Sequence, residues 1–212
     1  MLLATSLPAL IQRTQALAAL DLILSPEWEY RYYSFNSAWS AGEKMASMRN
    51  GSGDEWWLVF HESGWAALKG MDHESDAWEE GREALSREIQ QAFPPELHGF
   101  AHEPAFRWDE TGFGAYYLPS SGAWKFANDA TSPAFAELDT GCELLLEHVN
   151  GTAEDYAQFA SDYNEVDVPV EIVEAIFAHQ PITEEMVAAL NPEVKLEDIA
   201  QELYGEIGYG KL

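Results

Sequence analysis

The apolar positions along the chain follow two regimes. Up to about residue 130 they come mainly as short aromatic-rich runs between glycine turns, and beyond it they recur at helical spacing. The opening stretch MLLATSLPALIQRTQALAALDLILS sets Leu10, Leu17, Leu20 and Leu24 on a helical repeat with Pro8 near its start. It predicts an amphipathic helix that packs on the fold. No basic residues precede its apolar run, and Gln12, Arg13 and Gln15 interrupt it, so it does not read as a signal peptide. No uninterrupted apolar run approaches the ~18 residues of a membrane span.

EWEYRYYSFNSAW, from Glu27 to Trp39, is rich in aromatics and reads as a strand. EKMASMR, a glycine turn, EWWLVFHE, a Ser63-Gly64 turn and WAALKGM then predict an antiparallel meander. In EWWLVFH both alternating sets are apolar, as in a central strand covered on both faces. SDAWEEGREALSREIQQAFPP predicts a helix with Trp78, Leu85, Ile89, Ala92 and Phe93 on one face, stopped by Pro94 and Pro95. TGFGAYYLP and AWKFA, around Ser120-Ser121-Gly122, predict a second strand pair. From about Pro133 onward TAEDYAQFASDY, PVEIVEAIFAHQ, TEEMVAAL and KLEDIAQELYGEIGY read as helices. The expectation is an α+β fold, a mostly antiparallel meander sheet with packing helices and a C-terminal lobe of several short helices. Residues 1–130 would form the sheet core with the N-terminal helix, and 131–212 an acidic helical lobe packed on it.

The length of 212 residues and 47% apolar content suffice for a packed core. The single cysteine, Cys142, leaves no internal disulfide and fits a reducing cytoplasm. Charge changes the picture more. The net charge is −26, and it is uneven: residues 151–212 hold fourteen acids against Lys195 and Lys211, whereas residues 1–50 are neutral. That field repels nucleic acid and anionic lipid and speeds encounter with a basic protein.

The most motif-like segment is Arg49-Asn50-Gly51-Ser52-Gly53-Asp54. It lacks the third glycine and following helix of a dinucleotide loop, the Lys-Ser/Thr of a phosphate loop and the alternating acids of a calcium loop. Asn-Gly between apolar runs is a hairpin signal, and an Arg49–Asp54 ion pair is expected to hold it. His61-Glu62-Ser63 is echoed by Asp72-His73-Glu74-Ser75. Asp72, His73 and Glu74, with Asp76 nearby, have the residue types of a metal or acid–base cluster, and His61 would complete a metal set. The competing reading makes Ser75 and Asp76 a helix cap. His98 and His102 stand four apart, but Gly99 and the preceding prolines argue against a ligand-bearing helix there. His148 and His179 fall near helix ends that favour a cation. No nucleophile constellation surrounds Cys142, so no catalytic residue and no cofactor is expected.

The outward acids of the last third, Glu154, Asp155, Glu171, Glu174, Glu184, Glu185, Glu197 and Asp198, form a one-signed surface suited to a basic protein partner. The stretches FNSAW, EKMASMRNGSGDEWWLVF and LKGMDHES, with the ending ITEEMVAALNPEVKLEDIAQELYGEIGY, resemble over most of the chain a family of uncharacterised bacterial proteins, similar to small acidic partners found beside secreted toxins. The resemblance implies a bacterial origin and one architecture and carries over no catalytic residues. Three functions are therefore weighed: an acidic, non-enzymatic, immunity-type binding protein; a metal-dependent enzyme built on His61, Asp72, His73 and Glu74; and a self-associating structural domain.

Overall fold

The computed structural model describes residues 6–79 and 82–210. In chain order it contains α1 (Leu7–Leu24), a 3-10 turn (Trp28–Tyr30), β1 (Tyr33–Ser40), β2 (Glu43–Arg49), β3 (Glu55–His61), β4 (Ala66–Met71), α2 (Asp76–Glu79), α3 (Arg82–Ala92), α4 (His98–Ala101), β5 (Phe113–Leu118), β6 (Ala123–Phe126), α5 (Cys142–Leu145), α6 (Glu147–Asn150), α7 (Ala153–Asn164), α8 (Val170–Phe177), α9 (Glu184–Leu190) and α10 (Leu196–Gln201), with short 3-10 turns between. The fold is α+β. Its six strands lie in chain order in one sheet, and each pair from β2 to β6 is antiparallel. The chain divides into two compact units, a sheet unit of residues 40–146 and a helical unit of residues 6–39 and 147–210 among the described residues.

This division runs differently from the 1–130 and 131–212 boundary read from the sequence. The N-terminal helix belongs with the C-terminal helices, and residues 131–146 belong with the sheet. The reason is visible in α1 itself. Every residue from Thr14 to Ile23 is buried, so the helix is covered on all sides rather than along one stripe. Although α1 has the length and composition of a membrane span, it is mostly buried inside this unit. Part of its polar interruption finds partners there: the Gln15 amide nitrogen donates to the Ile207 and Gly208 carbonyls, while Gln15 Oε1 and one Arg13 guanidinium nitrogen are buried without a hydrogen-bond partner. Asn191 and His179 cap other α1 carbonyls, those of Ile23 and Gln12.

In the helical unit the carboxylate of Asp21, on α1, is buried and accepts three hydrogen bonds. The Tyr156 hydroxyl donates to Oδ1 at 2.7 Å, and the Tyr32 and Tyr33 amides donate to Oδ2. Burial outweighs these bonds and lifts the acid to about 6. The strand expected from Glu27 starts only at Tyr33, because Arg31 bends the preceding chain. Its guanidinium bonds the Ser25 and Pro26 carbonyls and pairs with Glu202. His148, expected as a helix-end cation, is instead buried against Tyr33, Tyr156 and Phe159, and burial pushes it down to about 4, so it is neutral at pH 7.

In the sheet unit β3 is central, as expected, and β4 is buried at every position. β4 also carries Lys69, whose side chain is 0% exposed. The ammonium meets Glu55 Oε1 at 3.2 Å and the Phe106 carbonyl at 2.6 Å. Glu55 also accepts from the Trp57 indole and from Arg107. Burial pulls the lysine down, with Glu55 opposing; burial also pushes Glu55 up, but its cationic and indole partners together hold it below its ordinary value.

Two stability outcomes follow from these buried groups. Glu55→Gln leaves the Lys69 charge buried without its counter-charge and should cost about 3–5 kcal/mol by denaturant unfolding. Lys69→Met leaves Glu55 paired with half-exposed Arg107 and should cost clearly less; equal losses would mean that the Lys69 charge does not need Glu55. For Asp21, the folded value of about 6 lies above the ordinary aspartate value of 3.8. Its contribution is therefore fully present below the unfolded value and lost as pH rises through about 6. Relative to wild type, Asp21→Asn should gain up to about 3 kcal/mol between pH 4 and 7 in pH-resolved unfolding. A pH-independent difference would refute the buried-charge account.

Candidate functional site

The register of the sheet unit builds one polar cluster from residues far apart in sequence. Glu55 pairs with Met71 at the end of the β3–β4 ladder. The residues one step beyond the ladder, Asp54 and Asp72, therefore leave the sheet side by side, and His73 follows. One ligand-type atom from each of Asp54, Asp72 and His73 lies within 4.8 Å of the others.

The β2–β3 hairpin supplies one wall, and the glycine-turn reading of residues 50–54 holds. Gly51 and Gly53 take φ of 76° and 122°, where a side chain would strain the backbone. Asn50 Oδ1 accepts from the Ser52 and Asp54 amides. Asp54 is committed elsewhere than expected: Oδ2 is bonded by the Asn50 amide group, and Oδ1 accepts from the His73 backbone at 2.8 Å and its Nδ1 at 2.6 Å. Arg49 stands across the ladder from Glu55.

The other wall is the turn after β4. Asp72 Oδ1 accepts from the Glu74 amide, and the Ser75 hydroxyl donates to the Asp72 carbonyl. Gly141, at φ 66°, lies so close that an added Cβ would fall 2.0 Å from Asp72 Oδ2. Any side chain at residue 141 would displace the acid. Burial raises Asp72, with the Asp54 charge adding to it. The hydrogen bond that His73 donates to Asp54 raises the imidazole above its ordinary value.

Chemically, Asp54 fixes the His73 ring with Nδ1–H inward and Nε2 outward. Asp54, Asp72 and His73 have the donor types to hold a divalent ion. To do so through Nδ1, His73 would have to give up its bond to Asp54. The alternative metal set of His61, Asp72, His73 and Glu74 is not brought together. His61 ends β3 at the opposite edge of the ladder, about 20 Å along the strand from Glu55. There it stacks on Trp65 and bonds Ser63. Glu74 is 85% exposed with its carboxylate 4.0 Å from His73 Nε2. Asp54, the member that residue types alone missed, could have been found by folding the two strands about the Glu62–Trp65 turn. His98 and His102 stack at 3.9 Å beside the short helical turn α4, with His102 bonded to the His98 carbonyl. Cys142 is buried, and burial raises its thiol.

The second candidate is the acid surface of the helical unit. All eight proposed docking acids are exposed. Seven of them, every one but Glu174, occupy the first turn of a helix. Asp155 closes a capping box with Thr152, and Glu184 accepts from the Leu196 amide. These acids therefore serve their helices as well as the surface field.

His73 gives the sharpest test of the cluster. Its folded value is raised, so its stabilising contribution is present below about 6.5 and lost as pH rises through the folded value. In an NMR titration Asp54→Asn should move the His73 midpoint down toward the ordinary histidine value; an unchanged midpoint would dissolve the dyad. No family model, no curated protein and no solved structure matches this chain.

Proposed function

We propose that this chain is a non-enzymatic acidic binding protein whose helical unit docks a basic protein. The observation that supports this reading is the fate of the bases in that unit. Arg31 is buried in its pair with Glu202, and the Arg13 guanidinium lies 3.7 Å over the Phe177 ring. Lys195 remains as the exposed lysine or arginine of this unit among the described residues, against many exposed carboxylates. A field so nearly of one sign raises association rates for cationic proteins and penalises anionic ones. In the setting implied by the resemblance, the partner is a basic bacterial toxin, the role is that of an immunity-type inhibitor, and the place is the cytoplasm.

The His73 dyad supplies no competing mechanism of equal weight. It has a base at Nε2, whose recorded neighbour among the described residues is the Glu74 carboxylate rather than a hydroxyl or thiol, and the Asp54 oxygens are already committed.

The test is affinity capture from a bacterial lysate at low salt, then kinetics with the purified captured protein. A basic protein should be enriched, and its association rate should fall roughly tenfold or more between low and physiological salt while dissociation changes little. Glu171→Gln with Glu174→Gln should slow association further. Failure to enrich a basic protein, or association indifferent to salt, would sink the reading.

A further inference from the structure

The 3-10 turn Trp28–Tyr30 buries none of its residues. Trp28 and Tyr30 are each 59% exposed, an unfavourable state for two large aromatic rings. Yet the turn is fixed at both ends. On one side Arg31 bonds the Ser25 and Pro26 carbonyls and pairs with Glu202, and the Ser25 hydroxyl donates to Asn164 of α7. On the other, Asp21 receives the Tyr32 and Tyr33 amides. Tyr32 then packs edge-on against Phe159 and Tyr163 of α7, at ring separations of 4.9 and 5.6 Å. Tyr163 and Val166 are exposed in turn. The fold thus holds an apolar platform in a set geometry without covering it.

The rim of this platform has one sign. Glu27 and Glu29 flank Trp28, and Asp162, Glu165 and Asp167 surround Tyr163 and Val166; all five are exposed. Aromatic faces ringed by carboxylates suit a guanidinium, which stacks on the ring while its N–H groups reach the acids. A rigid aromatic anchor also loses little side-chain entropy on binding.

We infer that the Trp28–Tyr30 turn and the exposed end of α7 form the docking hot spot of the helical unit, and that it takes an arginine-bearing segment of another protein. This rests on the acidic-binding reading above and adds to it where the partner sits and which cation it presents. Charge alone attracts lysine and arginine equally; the platform selects arginine.

The test compares a nona-arginine peptide with a nona-lysine peptide of equal charge, by calorimetry at low salt on the full chain. Nona-arginine should bind about fivefold or more tightly than nona-lysine. The double variant Trp28→Ser, Tyr30→Ser should remove that advantage while both peptides still bind and both still respond to salt. Trp28→Phe with Tyr30→Phe should keep the preference. Because Trp28 and Tyr30 are each more than half exposed, the serine variant should still fold, with its melting temperature measured alongside, and the phenylalanine pair controls for a local unfolding. If the arginine preference is absent, or survives the serine variant, the platform is not the hot spot, although acidic docking stands. If neither peptide binds at low salt, the acidic-docking reading fails as well. If sedimentation shows a dimer that the serine variant dissociates, a second copy of the chain covers the platform and the arginine assignment is overturned.

Discussion

The carboxylate of Asp21 decides how the helical unit is put together. It sits on a helix with no dry face left over, and no solvent reaches it to share its charge. The three donors it has come from places distant in sequence: the Tyr156 hydroxyl on α7 and the amides of Tyr32 and Tyr33 at the entry to β1. A buried carboxylate stripped of such donors costs several kcal/mol, so the three segments are tied to one geometry. The aromatic group of Tyr33, His148, Tyr156 and Phe159 is assembled around that tie. So is the fixed path of the chain between α1 and β1, which leaves Trp28 and Tyr30 in solvent.

The acids on this unit illustrate how one residue type can serve two ends. Placed at random on short helices, so many carboxylates would repel one another and oppose folding. Placed in the first turns of α7, α8, α9 and α10, they meet the positive ends of the helix dipoles and the unpaired amides. Each gains locally from that placement, which offsets part of the mutual repulsion. Asp162 is bonded locally by the Gln158 amide one turn earlier, but local need does not explain Glu174 or Asp167, which lie outside first turns, nor the scarcity of exposed bases. Those features carry the argument for a basic partner, and the first-turn acids only strengthen the field.

The meander and the glycine hairpin were legible because alternation and turn chemistry are local properties. The candidate cluster was only half legible. Asp72-His73 could be suspected from residue types, but Asp54 joins them through strand register, which a list of motifs does not contain. The echo of His61-Glu62-Ser63 and Asp72-His73-Glu74-Ser75 misleads for the same reason: antiparallel pairing sends the two to opposite ends of β3 and β4. Lys69 was invisible, since a lysine in a strand reads as an exposed position until its neighbours Glu55 and Phe106 are placed around it. His148 inverted its expected role. Proximity to a helix end favours a cation, but near-complete burial among three aromatic rings removes more stabilisation from the charged form than a helix end returns.

Asp21 and His148 titrate around the same pair of tyrosines, and their linkage has opposite signs. Asp21 is raised to about 6, so its contribution declines as pH climbs from the ordinary aspartate range through 6. His148 is lowered to about 4, so the unfolded chain takes up the proton first and stability rises over nearly the same interval, up to the ordinary histidine value. The two slopes offset each other across mildly acidic pH. Between about 4 and 6 both groups are uncharged in the folded unit, and its core holds no net charge of its own. The charges that act on the core of the helical unit are thus separate from the field of its acid surface, and that field can be strong without loading the core.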